Sequence, residues 1–172
     1  ESKRMGETLA TVYHRQFGIP VKIVRPFNVY GPGMKRDDFR VLPNFLNAAL
    51  DGKTLEIHNR GTQTRTFCYS TDAIAGFLRV LLLGRSGEAY NIGSPDEEIS
   101  VYELAERVRK VYDKPLTIKL AEYPEGYPQG DPDRRRPDVT KARIDLEYST
   151  NIGLDEGLAR TIKWYQLLRE GA

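Results

Sequence analysis

The 172-residue chain is long enough to bury one sizeable core or two small lobes. It carries 26 basic and 24 acidic side chains, and this balance argues against binding nucleic acid or a membrane surface by bulk electrostatics. The longest apolar run, residues 73–83, is interrupted by Arg79 and is shorter than the about 20 residues that span a bilayer. The single cysteine, Cys68, excludes an intrachain disulfide and favours a reducing, cytoplasmic compartment.

The first third of the sequence predicts a helix, a strand and a loop. The chain begins with Glu1 rather than Met and enters helical sequence at once, so we expect that its start has been cut off. Apolar residues at three- and four-residue spacing predict a helix over residues 3–17, ended by a Gly-Ile-Pro turn. Residues 21–24 are predicted to form a buried strand. Residues 25–33 are predicted to be an irregular loop, because two prolines and two glycines disfavour regular structure.

Beyond this loop, predicted helices and strands alternate, which indicates an α/β fold. Residues 34–40 are polar and are expected to be mobile, and residues 121–138 are expected to form a long surface excursion. No strand is followed by a Gly-x-Gly-x-x-Gly turn, so the sequence shows no cradle for a dinucleotide diphosphate. Strands are predicted at residues 55–58, 64–69, 89–92 and 117–120, and helices at 41–50, 139–146 and 154–168. A further helix is predicted to be capped by Ser70 or Thr71 and to run to Leu83. Another is predicted to begin at a capping box formed by Ser100 and Glu103.

Four stretches, taken in order, carry a resemblance to a known family. They are Glu1-Ser2-Lys3 with Gly6-Glu7, residues 25–33 (RPFNVYGPG), residues 61–72 (GTQTRTFCYSTD), and residues 135–142 (RRPDVTKA) followed by the tail at 154–164. Together they resemble the extended short-chain dehydrogenase/reductase family, whose members are NAD-dependent nucleotide-sugar epimerases, dehydratases and decarboxylases. A single such motif would be weak, whereas four in family order make a specific match.

The resemblance implies that the chain is the C-terminal portion of a Rossmann-type enzyme, comprising the last parallel strands and the small substrate-binding α/β lobe. Residues 1–32 would be a remnant of the dinucleotide-binding domain, and residues 33–172 mostly the substrate-binding lobe. The N-terminal NAD-binding half would be absent. The tyrosine of the family's Tyr-x-x-x-Lys motif would then lie at the second position upstream of Glu1.

The resemblance assigns a catalytic and cofactor-binding role to Lys3. An ammonium about 4 Å from a tyrosine, at an effective dielectric of about 20, is worth roughly 4 kcal/mol, or about three pKa units. Lys3 would therefore help to ionise that tyrosine and would also hold the nicotinamide ribose; the alternative is a solvated helix lysine. Pro26 and Asn28 are expected to contact NAD, and Asn28 also the sugar.

Other residues are expected to bind a nucleotide-diphosphate sugar. Arg65 would bind the diphosphate, because a guanidinium forms paired, charge-assisted bonds to phosphate oxygens. Asn44 matches a family position near the diphosphate, and Glu56 and His58 match positions that flank the nucleobase. The alternatives are an ordinary surface arginine for Arg65 and a structural histidine for His58.

Three consecutive arginines offer another phosphate ligand. The family carries an arginine here that reaches the diphosphate or ribose, and Arg135 is favoured over Arg134 and Arg136; the alternative is a solvated charge run. His14 and His58 are too few and too far apart in sequence to predict a metal site. Cys68 is interpreted as a core residue and not a nucleophile.

The sequence therefore predicts part of an NAD-dependent epimerase, dehydratase or decarboxylase that oxidises a nucleotide sugar at C4. A UDP-sugar is the favoured substrate and a homodimer the expected assembly of the full-length parent, with NAD bound there rather than by this chain alone. Decarboxylation is slightly favoured, because residues 123–138 depart from the epimerase and dehydratase patterns. The alternative is a noncatalytic fragment acting only as a nucleotide-sugar-binding or dimerisation module. In such a fragment the predicted strand at residues 21–24 would have exposed edges, and this would favour self-association.

Overall fold

The computed structural model describes residues 1–35, 38, 40–122 and 132–170, and these form a mixed α/β fold. The helices are Ser2–Phe17 (α1), Val41–Leu50 (α2), Ser70–Leu83 (α3), Val101–Tyr112 (α4), Thr140–Leu146 (α5) and Leu154–Glu170 (α6). The strands are Ile23–Pro26 (β1), Val29–Tyr30 (β2), Leu55–His58 (β3), Thr64–Arg65 (β4), Cys68–Tyr69 (β5), Ala89–Ile92 (β6), Ile99–Ser100 (β7), Ile118–Ala121 (β8) and Arg134–Arg135 (β9).

The strands pair mostly in parallel, which confirms the predicted fold class. The parallel pairs are β1 with β6, β2 with β5, β3 with β8, and β4 with β9. Strand β4 is the middle strand of a three-stranded sheet, because it also pairs antiparallel with β7. Parallel neighbours need crossover connections, and helices between the paired strands provide them.

Two clusters of buried apolar residues hold the elements together. The larger core lies between α2, β3, α4 and α6 and includes the fully buried Leu46, Ile57, Leu104 and Leu158. The smaller core lies between β6, α3 and α5 and is built around Tyr90, with Cys68 within it, as predicted for a core cysteine. Among the described helices, none is long and apolar enough to cross a bilayer.

The predicted loop at residues 25–33 is wrong in part. Strand β1 extends to Pro26, and Val29 and Tyr30 pair with Cys68 and Tyr69. The turn between these strands is possible because Asn28 adopts a φ of 43°, a conformation that asparagine tolerates better than most residues. The predicted strand at 64–69 is likewise divided into β4 and β5.

The ends of two helices differ in how well the sequence predicted them. The Ser100–Glu103 capping box at the start of α4 is confirmed in both directions. The cap predicted at Ser70 or Thr71 is wrong, because α3 begins at Ser70 and its N-cap is Tyr69. Asp72 lies in the first turn of α3 as predicted, but its carboxylate accepts backbone N–H bonds from Asn151 and Ile152, at 3.0 Å each.

Helix α1 forms as predicted and ends at Gly18 in the left-handed conformation. None of its residues is buried, and the predicted apolar stripe is open, with Met5 60% and Phe17 66% exposed. An ion pair between Glu7 and Arg25 ties the helix to β1, with 2.8 and 2.5 Å between the paired atoms. The apolar periodicity therefore predicted the helix correctly, but the described part of the chain does not cover its apolar stripe.

The long excursion predicted for residues 121–138 is described at its two ends. Strand β8 continues to Ala121, and residues 132–138 include β9, which pairs with β4. The intervening part of that prediction, residues 123–131, lies outside the described residues.

Candidate functional site

A cavity of about 200 Å³ opens between α2, β3, β4 and the segment that follows β1. Its lining includes all six residues that the sequence predicted to bind substrate, which are Asn28, Asn44, Glu56, His58, Arg65 and Arg135. They come from distant parts of the chain and meet only in the folded structure. Apolar side chains such as Leu42, Phe45, Phe67 and Val101 form the rest of the wall.

Strand β3 presents two polar side chains to this cavity by simple alternation. Leu55 and Ile57 point into the larger core and are fully buried, so Glu56 and His58 face the other way and line the cavity. His58 Nδ1 lies 3.1 Å from the carbonyl oxygen of Glu122, which orients the ring. A carboxylate and an imidazole on one wall can bind the polar edge of a base or sugar.

Three guanidinium groups converge on the same cavity. Arg65 is buried to 7% exposure on β4, and its Nη1 donates to the carbonyl of Thr64 at 2.8 Å. Arg135 is its direct neighbour on the parallel strand β9. The third is Arg40, at the start of α2, which forms an ion pair with Asp38. Guanidinium groups around one cavity favour a multiply charged anion such as a diphosphate.

Arg40 is the charged residue of the described lining that sequence reasoning missed. Residues 34–40 were expected to be mobile, but the Arg40 guanidinium binds Asp38, with Nη2–Oδ2 at 2.5 Å, and lies 3.4 Å from the carbonyl of Val29. This guanidinium also lowers the pKa of the Asp38 carboxyl through their hydrogen bonds. The available signal was a basic residue immediately before a helix, beside the Pro43-Asn44 motif. Residues 36, 37 and 39 lie outside the described residues.

Two asparagines contribute in different ways. Asn28 Nδ2 donates to the carbonyl of Thr66 at 2.8 Å, which fixes the turn after β1 against the β4–β5 connection. Asn44 is an exposed residue of α2 that also lines the cavity. Their amide groups lie where a ligand with both donors and acceptors can be bound.

Lys3 and Pro26 lie outside the lining of this cavity. Lys3 is exposed in the first turns of α1, and Pro26 is the last residue of β1. The Glu7–Arg25 ion pair connects these two elements, and the hydrogen bond from Arg25 lowers the pKa of Glu7. The predicted roles of Lys3 and Pro26 in binding NAD and in catalysis therefore remain predictions.

Among the described residues, little supports a nucleophilic cysteine or a metal site. Cys68 is fully buried with its Sγ 3.6 Å from the hydroxyl of Tyr148, and burial raises the pKa of the thiol to about 11. A thiol with so high a pKa is a poor nucleophile. Within the described ranges, no group of three or more His, Cys, Asp or Glu side chains could hold a metal ion.

Comparison with known proteins gives a consistent result. The sequence profile of the NAD dependent epimerase/dehydratase family matches residues 1–93. UDP-glucuronic acid decarboxylase 5 of Arabidopsis thaliana is 44% identical over 158 residues, covering 92% of this chain and 45% of that protein. The chain therefore spans about half the length of the curated relatives it matches.

Solved structures of similar fold include two relatives with different reactions. UDP-glucuronic acid 4-epimerase from Bacillus cereus, in complex with UDP-glucuronic acid and NAD, matches with a TM-score of 0.84 and 33% identity, covering 95% of this chain and 50% of that one. The dTDP-glucose 4,6-dehydratase from Bacillus anthracis, in complex with NAD, matches with a TM-score of 0.83 and 26% identity, also covering 95% and 50%.

Proposed function

Because this chain belongs to the NAD-dependent epimerase/dehydratase family, we propose that it supplies the nucleotide-sugar site and the catalytic lysine of an enzyme that oxidises a UDP-sugar at C4. The observation that carries the proposal is the cavity, around which the six predicted substrate residues, Arg65 and Arg135 among them, are gathered together with Arg40. Such a site matches a ligand that combines a base, a diphosphate and a sugar.

Each part of the cavity has a role in this proposal. Arg65 and Arg135 lie side by side on β4 and β9 and would hold the diphosphate, with Arg40 at the helix start as a third cation. Glu56 and His58 on β3 would bind the base, as the resemblance implies. The cavity volume of about 200 Å³ is below the about 300 Å³ at the small end of ligand pockets, so the rest of the ligand would extend beyond it.

The residues assigned to NAD fit one side of a nicotinamide site. Strand β1 ends at Pro26 beside the parallel strand β6, and ligands of open α/β sheets bind outside the carboxyl ends of such strands. Asn28 follows directly, and Lys3 lies on α1, which the Glu7–Arg25 ion pair ties to β1. NAD, when bound, accepts the hydride from the sugar. The Lys3 ammonium would stabilise the tyrosinate that takes the hydroxyl proton.

Decarboxylation of a UDP-uronate is the reaction we favour within the family. The Arabidopsis decarboxylase is 44% identical to this chain, compared with 33% for the Bacillus epimerase of known structure. The departure of residues 123–138 from the epimerase and dehydratase patterns points the same way.

A noncatalytic binding or dimerisation module is the second candidate. It is favoured by one observation, the open apolar stripe of α1, which a second copy of the helix would cover in a homodimer. Sedimentation over a range of protein concentrations tests this candidate, since a strict monomer at high concentration would contradict it.

Calorimetric titration of the chain with UDP-glucuronate, UDP-glucose, dTDP-glucose and NAD tests the main proposal. UDP-glucuronate is expected to bind best and NAD not to bind. Arg65→Ala and the exposed Arg135→Ala are each expected to weaken UDP-glucuronate binding by about tenfold or more. Arg143→Ala, which removes an exposed arginine on α5, is the matched control and is expected to have no effect.

The outcomes separate the candidates. Binding of UDP-sugars that depends on Arg65 and Arg135 supports a nucleotide-sugar site formed by this chain. Equal affinity of the Arg143→Ala and Arg135→Ala variants would mean that binding reflects general charge and would contradict the assignment of the cavity. Absence of any binding would reject an autonomous nucleotide-sugar site in this chain.

A further inference from the structure

Residues 134–136 are three consecutive arginines with different environments. Arg134 donates from Nε and Nη2 to the carboxylate of Glu98, at 2.7 and 2.8 Å. Arg136 donates to the carbonyl of Pro95 at 2.8 Å and lies 4.0 Å from the same carboxylate. Arg135, between them, lines the cavity. Successive side chains of a strand point to opposite faces, so fixing the outer two directs the middle one.

Glu98 also binds the strand on which Arg65 lies. Its Oε1 accepts a hydrogen bond from the Thr64 hydroxyl at 2.6 Å, and its side chain is 20% exposed. Thr64 and Arg134 are register partners on β4 and β9, as are Arg65 and Arg135. One carboxylate therefore binds both members of one register pair, on the face opposite to the cavity.

The backbone transmits this contact to the cavity. The Thr64 N–H donates to the Asp133 carbonyl at 2.7 Å, and the parallel pairing of β4 with β9 is only two residues long on each strand. So short a pairing has few hydrogen bonds of its own, and β9 adjoins a proline- and glycine-rich stretch. Side-chain bonds on the Glu98 face are thus a large share of what holds β9 in register.

We propose that Glu98 is a positioning residue for the nucleotide-sugar site, which binds Thr64, Arg134 and Arg136 on one face of β4–β9 and thereby presents Arg135 beside Arg65 on the other. The inference rests on the proposed function for the identity of the ligand. Glu98 does not line the cavity, so it acts through Arg135 and not by contact with the ligand.

The sign of the expected effect distinguishes positioning from simple electrostatics. Removal of a negative charge near an anion site strengthens anion binding if charge alone matters. Loss of positioning weakens it, because Arg135 is no longer held beside Arg65. Glu98→Gln is therefore expected to weaken UDP-glucuronate binding, by about threefold to tenfold. Tighter or unchanged binding would overturn the proposal.

A double-mutant cycle shows whether Glu98 acts through Arg135. Glu98→Gln is combined with Arg135→Ala, and calorimetry measures UDP-glucuronate affinity in all four proteins. In the Arg135→Ala background the additional effect of Glu98→Gln is expected to vanish. Full additivity would show that Glu98 affects the site by another route. Glu97→Gln is the matched control: it changes the adjacent carboxylate, which pairs with Arg107 instead, and is expected to leave affinity unchanged.

Hydrogen exchange tests the same contact without any ligand. The Thr64 amide, bonded to Asp133, is expected to exchange faster in Glu98→Gln than in the wild-type chain, while Glu97→Gln leaves it unchanged. Equal protection of this amide in all three proteins would overturn the proposal. If the wild-type chain binds no UDP-sugar, an autonomous nucleotide-sugar site is rejected, and the exchange experiment alone decides whether Glu98 holds β9 beside β4.

Discussion

Two regions of the molecule differ in how completely their helices are covered. The cavity region (α2, β3, α4 and α6) surrounds the larger core, into which α4 buries Val101, Leu104, Ala105 and Val108. The β1–β6 region (α1, β1, α3, β6 and α5) contains the smaller core, to which α1 contributes no residue. There α1 buries no residue, and α3 leaves Leu81 and Leu82 exposed at 65% and 73%.

The difference shows that an amphipathic pattern and a packing partner are separate matters. Both α1 and α4 show helical periodicity in the sequence, yet only α4 has its apolar face packed in this chain. Most helical stability in proteins comes from such packing and not from propensity. The cavity region is therefore expected to be the more stable of the two.

Truncation of a leucine in each region gives the largest expected contrast. Leu104→Ala, in the larger core, is expected to lower the free energy of unfolding by about 3 kcal/mol. Leu82→Ala, on the open face of α3, is expected to change it by less than about 0.5 kcal/mol. Urea denaturation at low protein concentration measures both. A loss for Leu82→Ala that grows with protein concentration would instead show that self-association covers this face.

Cys68 reports on the smaller core. Burial raises its pKa to about 11 from the ordinary value of 9.0, so at pH 8 the folded chain holds about 100-fold less thiolate than an unfolded one. Iodoacetamide is therefore expected to alkylate the folded chain at least about 100-fold more slowly than the urea-unfolded chain. Rates within tenfold of each other would mean that the β1–β6 region opens readily in solution.

Asp72 joins the two regions, and its replacement tests how strongly they are coupled. Its carboxylate on α3 accepts the backbone N–H groups of Asn151 and Ile152, just before α6. Asp72→Asn leaves a weaker acceptor in a buried position and is expected to cost about 1–2 kcal/mol of unfolding free energy. Asp96→Asn, at an exposed site, serves as the control. Equal melting temperatures for Asp72→Asn and Asp96→Asn in thermal denaturation would contradict the coupling.

Acid is expected to loosen β9 from β4, with a smaller effect than the changes above. Hydrogen bonds from Arg134 and then Thr64 lower the pKa of Glu98 to about 2, from an ordinary 4.5. A lowered pKa means that the contact stabilises the fold above about pH 4.5 and is lost as the pH falls towards 2. The Thr64 amide should lose protection over that range while the Leu55 amide, in β3, keeps it. Equal loss of protection at both amides would indicate general acid unfolding instead.

Local chemistry explains which predictions succeeded. The bounds of α2, β3 and β6 and the Ser100–Glu103 capping box were predictable, because periodicity and capping involve residues close in sequence. The family resemblance predicted six residues for substrate binding, and the folded chain gathers these six around one cavity. Their individual roles, and the division of the chain at residue 32, stay predictions.

Long-range contacts explain which predictions failed or were missed. The N-terminal cap of α3 was misassigned, because Ser70 is already helical and Tyr69 is the N-cap. The bonds that Asp72 accepts from Asn151 and Ile152, about 80 positions away, were likewise not predictable from local sequence. Arg40 was assigned to a mobile segment although Asp38 lies only two positions away; its contact with the Val29 carbonyl, 11 positions earlier, is the one that becomes apparent only after the chain has folded. The loop at 25–33 was predicted irregular, since the pairing of β2 with β5 depends on a strand almost 40 residues away.

The sequence by itself determined the family and the α/β alternation, and it predicted residues for a nucleotide-sugar site, because motifs and periodicity are properties of neighbouring residues. Only the tertiary structure decided which of Arg134, Arg135 and Arg136 faces the cavity. That choice depends on Glu98 and Pro95, which are remote in sequence and bind the two outer arginines. Alternation along a strand places the middle side chain on the face opposite to its two neighbours. Contacts with the rest of the fold decide which of the two faces that is.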